Sequence, residues 1–265
     1  KDDSKEYRNA ALSYASGIVS DPVYIELIKA MDKAKPAPKT DVLNWIASQC
    51  QCPVQKENLR KLMIRFDLPA IDLIRKQLKN NDYDVKEATV WALVKLGDPN
   101  TIGDIAALLN SKDPKVVALA QQGLASFKGD ISPSVSRVMD KAPDTGKVAA
   151  VELLSLRKSA IHLNSVLAQT KSADADVKTA AYEALKNVVE EKDFTNMCGM
   201  LETADAATIT PLQQAVIASI SEMSKEAQVS SVLNRMNLAG ENKKHLYYVV
   251  LAQTGDNKAL SIISE

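Results

Sequence analysis

Histidine, glycine, cysteine and aromatic side chains are all scarce in this chain, and net charge is absent. Its 265 residues include 2 His, 9 Gly, 3 Cys and 5% aromatics, and 33 basic residues balance 33 acidic ones. A chain with no net charge has no electrostatic pull on a polyanion, which sets aside nucleic acid and anionic membrane as partners. No run approaches 18 uninterrupted apolar residues, so no membrane span is expected, and the opening "KDDSKEYRNA" lacks the apolar core of a signal peptide. Cys50, Cys52 and Cys198 are too few and too odd in number for a disulfide framework. Cys50 and Cys52 form a C-x-C pair, but no nearby His or second Cys pair completes the four ligands that zinc wants. No metal or other cofactor is expected. The 46% apolar content is therefore mostly aliphatic, with Ala, Leu and Val recurring, which favours packed helices over a turn-rich sandwich.

An enzyme needs a nucleophile, a base and a group that orients them. His162 has Ser159 and Ser165 at helical spacing but no G-x-S-x-G elbow, and His245 follows Lys243 and Lys244 in what reads as a solvated helix start. "DTGKV" at Asp144 contains Gly-Lys, but Lys141 stands where a phosphate loop needs its first Gly and Val148 where it needs Ser or Thr; the stretch reads as a turn. "EEKD" from Glu190 lacks the D-x-D-x-D-G spacing of a calcium loop and reads as a charged interhelical turn, while "KAKPAPK" reads as a solvated linker. No catalytic residue is assigned.

What the chain does have is a period. Asp82, Asp113, Asp144, Asp174 and Asp205 follow one another at intervals of 31, 31, 30 and 31 residues. Each opens an apolar stripe at steps of 3, 4, 7, 8 and 11, the spacing of one helix face: Val85, Ala88, Thr89, Ala92, Leu93 and Leu96 first, then Val116 to Phe127, then Val177 to Val188. Ile209, Leu212, Val216, Ile217 and Ile220 fit with one polar exception, Gln213. Small residues at the seventh step would let neighbouring backbones approach. After a short break a second stripe follows in each unit, for example Ile102, Ile105, Ala106 and Leu109, or Met197, Cys198 and Leu201. Asp98 and Asp113 suit N-caps, and Pro99 and Pro114 suit the first helical turn.

One helical hairpin cannot bury both stripes, so such units must stack. The expected units lie near 4–38, 40–81, 82–112, 113–142, 143–173, 174–204 and 205–239, with a partial one at 240–265, all in a single solenoid over 1–265. The second unit carries an additional stripe, Leu59, Leu62, Met63 and Phe66, and the last stops after Leu260 and Ile263.

"DADVKTAAYEALKNV" and "DYDVKEATVWALVKLGD" resemble HEAT repeats, with an armadillo-like extra helix near Leu59. More narrowly, "KTDVLNWIASQ", "FKGDISPSV", "TGKVAAVELLSLR" and "TPLQQAVIASI" resemble the HEAT segment of large extracytoplasmic bacterial proteins that often carry a keto-disaccharide hydrolase-type domain. The resemblance implies an all-α, right-handed α-α superhelix of about seven hairpins. It also implies a periplasmic or secreted setting and a non-catalytic interaction or scaffold role, with a protein partner, an adjoining domain or a glycan as what it engages. Hydrolase or lyase chemistry on the concave face and a carbohydrate-binding solenoid are the alternatives. In such a stack the second helices line the inner curve, and the residues two places after the first apolar anchor point outward. Those are Asp104, Arg137, Ser165, Asn196 and Ser231, with Leu27 and Leu73 earlier; Trp91, off its stripe, is a candidate aromatic contact.

Overall fold

In a computed structural model the chain is all-α, and no strand occurs among the described residues, 4–17, 21–50 and 70–254. Leu59 to Phe66, Cys52, Leu260 and Ile263 lie outside them. The chain divides into two compact units, residues 1–146 and 147–265.

The first unit holds α1 (Lys5–Gly17), α2 (Asp21–Asp32), α3 (Pro36–Gln49), α4 (Ala70–Lys76), α5 (Tyr83–Leu96), α6 (Ile102–Ala107), α7 (Pro114–Ser126), α8 (Ser132–Met139) and the first turn of α9 (Asp144–Leu156). First helices pack on the next first helices, α1 on α3, α3 on α5 and α5 on α7, and second helices do likewise, α2 on α4 and α6 on α8. The second unit holds the rest of α9, α10 (Leu163–Gln169), α11 (Ala175–Val188), α12 (Phe194–Leu201), α13 (Ile209–Ser219), α14 (Lys225–Ala239) and α15 (Tyr248–Thr254). Here α11 packs on α13 and α13 on α15, and each of α10 and α12 packs on the helix that follows it. The helices thus pack on their sequence neighbours, as expected of hairpins that cannot bury both faces alone.

The stripes are the core. Val85, Ala88, Thr89, Ala92, Leu93 and Leu96 are all buried, as are Val116, Leu119, Ala120, Gly123, Leu124 and Phe127. Gln213, the polar exception, is buried because its carboxamide donates to the Leu246 carbonyl at 2.8 Å, a backbone group of the following pair. At the seventh step, a Cβ on Gly123 would stand 2.6 Å from Cγ1 of fully buried Val90, so α5 and α7 approach more closely than an alanine there allows.

Asp82 accepts from the Val85 N–H, Asp113 from that of Lys115, and Asp174 from those of Asp176 and Val177. The residue two before each Asp closes the turn: side-chain oxygens of Asn80, Ser111 and Ser172 accept from the N–H of Asp82, Asp113 and Asp174. These side chains satisfy amides that a helix start would otherwise leave without partners. Asp144 departs from the pattern, lying inside the first turn of α9, so "DTGKV" is helical and not a turn.

"KAKPAPK" also differs from its reading as a linker. Pro36 and Pro38 sit in the first turn of α3, where no intrahelical N–H is required, and Lys39 is buried. Its ammonium donates to the Asp32 carbonyl at 2.8 Å and to Gln77 Oε1 at 3.0 Å, and Gln77 in turn donates to Asp32 Oδ1 at 3.1 Å. The network joins the end of α2 to α3 and to the turn after α4. Lys39→Met strands both acceptors and is expected to lower stability by about 2 kcal/mol, whereas Lys39→Met with Gln77→Leu recovers part of that loss. Urea denaturation of the two variants checks it.

Candidate functional site

The second-helix residues expected to point outward fall in varied surroundings. In the first unit, Asp104 of α6 accepts an ion pair from Arg75 Nε of α4 at 2.5 Å, and Arg75 Nη1 also reaches Asp72 at 2.9 Å. The hydrogen bond that Arg75 donates to Asp104 raises the Arg75 pKa above its ordinary value. Asp104 is thus held in a clasp between successive second helices. Arg137 of α8 is exposed, Leu27 and Leu73 are half-buried, and Trp91 is half-buried on α5. Trp45, by contrast, is inside, 4.8 Å from the Tyr24 ring and donating to Ser16 Oγ at 2.7 Å.

In the second unit, Ser165 is half-buried, Ser231 donates to Met223 Sδ at 3.9 Å, and Asn196 is exposed. Asn196 lines a cleft of ≈ 540 Å³ with Asn164 and Leu167 of α10, Lys171 just beyond it, Tyr182 of α11 and Met200 of α12. Asn164, Lys171, Tyr182 and Met200 escaped the sequence reading, which took one position per helix. A second cleft of the same unit, ≈ 350 Å³, runs between α9 and α11 past Glu152, Asp176, Glu183 and Lys186. There Asn187 already donates to Ser155 Oγ at 2.9 Å.

A polar cluster of the second unit is partly buried. Arg235 of α14 grips Glu202, at the end of α12, through Nε at 2.7 Å and Nη2 at 2.9 Å, and the fully buried Tyr247 donates its hydroxyl to Glu202 Oε1 at 2.5 Å. Burial acts to raise the Glu202 pKa, but the hydrogen bonds from Tyr247 and Arg235 outweigh it and hold the carboxyl below its ordinary value. Burial first, and then the Glu202 carboxylate, drive the Tyr247 phenol well above its own. Cys198 lies beside them, buried, its thiol pushed up to about 11 by desolvation, which keeps it protonated and unreactive at neutral pH. The cluster is a fastener between helices and offers no activated nucleophile.

His162 is half-buried in the turn before α10, its N–H on the Ser159 carbonyl, and His245 is exposed. "EEKD" is a capped turn in which the Glu190 N–H donates to Asp193 Oδ2 at 2.9 Å. Cys50 is buried, with its thiol on the Ile46 carbonyl at 3.5 Å. Among the described residues no three His, Cys, Asp or Glu side chains gather as metal ligands would, and no helix is long and apolar enough to cross a membrane.

The class these observations define is an all-α protein whose helix pairs pack on their sequence neighbours. No protein-family model matches the sequence, and no curated protein matches it. Among solved structures it is similar to the crystal structure of an engineered protein, at 15% identity and a TM-score of 0.37, over 91% of this chain and 93% of that one. A likeness of that size carries no argument about fold or function.

Proposed function

We propose that the chain is a non-catalytic interaction or scaffold module: a right-handed superhelix of about seven HEAT- or armadillo-like hairpins, one stack over its whole length. On this reading it belongs to a larger extracytoplasmic bacterial protein linked to glycan processing, and it engages a protein partner or an adjoining domain. The observation that supports it is the regular packing of first helices on first helices and, in the first unit, of second on second, with Arg137 exposed on the second helix α8. Extended surfaces of that kind suit partners better than reactions.

The test is quantitative capture of partner from an extract of the source cells by the wild type and by Asp104→Arg with Arg137→Glu. The bound amount is expected to fall at least about tenfold, the effect of roughly 1.4 kcal/mol at the contact. Unchanged capture removes the surface around Asp104 and Arg137 as the contact surface. Hydrolysis or elimination of an oligosaccharide by the purified chain overturns the non-catalytic reading itself.

A further inference from the structure

We infer that the cleft between α10 and α12 is a binding site for a short extended peptide carrying one acidic and one aliphatic side chain. The inference rests on the interaction reading above and gives it a place and a ligand chemistry. The cleft's ≈ 540 Å³ lies within the range of small-ligand sites and holds two or three residues of a peptide.

Its lining divides the work. Asn164 and Asn196 are exposed on the two helices that line the cleft, and among the described residues neither carboxamide has a hydrogen-bond partner, in contrast to Asn187, which is committed to Ser155. A carboxamide offers a carbonyl acceptor and two N–H donors, the complement of a peptide group's own C=O and N–H. Two of them can hold a main chain at two points without reading its sequence. Leu167, Tyr182 and Met200 are half-buried and form an apolar lining for one aliphatic side chain, with the flexible thioether adapting to its shape. Lys171 is the single charged group of the lining and selects an acid. One cation is too little to hold a nucleic acid. One tyrosine among aliphatic neighbours is a poor sugar platform, because saccharide sites stack pyranose faces on exposed rings.

The experiment selects a phage-displayed library of random octapeptides on the intact chain, with counter-selection on Asn164→Ala/Asn196→Ala. The expected result is a consensus with an acidic residue next to a Leu, Ile, Val or Met. A synthetic peptide of that sequence then binds the double variant about tenfold more weakly, the sum of two net hydrogen bonds. Lys171→Glu weakens the acidic peptide but spares its Glu→Gln version. Both asparagines are exposed, so helicity should persist; if the double variant loses it, the charge selectivity at Lys171 carries the test alone. No enrichment, enrichment indifferent to the double variant, or a basic consensus overturns the assignment. So does binding of a neutral oligosaccharide on a glycan array that Asn164→Ala/Asn196→Ala abolishes. Failed selection beside capture that still depends on Asp104 and Arg137 removes the cleft and leaves the interaction reading standing.

Discussion

Gly146→Ala is expected to destabilise the protein by about 3 kcal/mol or more, although alanine is the better helix former by about 1 kcal/mol. Gly146 lies in the first turn of α9, and a Cβ there would stand 2.1 Å from the Leu109 carbonyl oxygen and 3.0 Å from the Ala142 Cβ. The obstacle is backbone, in the tight turn Leu108–Asn110 that ends the α6 segment, so no rotamer change relieves it. Either the segment Asp144–Gly146 shifts or the turn deforms, and both open a packed core. Gly199 supplies the control, since it lies within α12 and a Cβ there would meet nothing within 4 Å. Gly199→Ala should therefore stabilise by about 0.5–1 kcal/mol. The same substitution in two helices thus has opposite signs. Thermal unfolding reads the pair: a drop of about 6–12 °C for Gly146→Ala and a rise of about 1–4 °C for Gly199→Ala, at 2–4 °C per kcal/mol for a chain of this size. Equal small shifts would mean that the approach of Gly146 to Leu109 is not a constraint.

The helices were legible because each repeat states its own boundary: an Asp, a stripe at steps of 3, 4, 7, 8 and 11, and a break. Val85 through Leu96 and Val116 through Phe127 are buried at every such step. Ala180, Ile209 and Ile217 sit on the stripe yet are only half-buried, while Val90 and Val94 lie off it and are buried. A stripe records only one of the faces a helix buries: Val90 lies off its own stripe and meets Gly123, which is on the stripe of the next first helix. The second direction of packing has no separate period, so a single helix cannot announce it.

The polar fasteners escaped for a related reason, and they carried a signal that was not read. Arg8 pairs with Asp41, 33 residues on; Arg75 with Asp104, 29 on; Ser155 with Asn187, 32 on; Glu202 with Arg235, 33 on. Each separation is close to one repeat, because stacked helices bring equivalent positions side by side. Complementary side chains one period apart are therefore candidate contacts in any such chain. Lys39 shows where this logic stops. Its partners Asp32 and Gln77 are 7 and 38 residues away, and two prolines just before it read as a linker, although both fit a first helical turn.

Glu202→Ala is expected to loosen the end of the second unit by about 3 kcal/mol. Truncation leaves the Arg235 guanidinium and the Tyr247 hydroxyl facing each other without the carboxylate that both address. Breaking a buried pair from one side costs about 3–5 kcal/mol, and the lower end applies because the Arg235 side chain keeps 24% of its accessibility. Replacing both charges, Glu202→Gln with Arg235→Met, should recover much of the loss, since the attraction of a partly buried pair and its solvation cost nearly cancel. Hydrogen exchange localises the effect: amides of α12, α14 and Glu241–Tyr247 should exchange faster in Glu202→Ala while those of α5 do not change. The same cluster predicts a stability window in pH. Glu202 has a depressed folded pKa, so its contribution is present above the unfolded value of about 4.3 and is lost as the pH falls through the folded one. Tyr247 has a raised folded pKa, so its contribution is complete below the unfolded value of about 10 and is lost as the pH rises toward the folded one. In Tyr247→Phe the alkaline limb should flatten and the acid limb should shrink with it, because Glu202 loses the larger of the two hydrogen bonds that lower its pKa and keeps only the Arg235 fork. An alkaline limb unchanged in that variant would assign the loss to other groups and leave Tyr247 a packing residue.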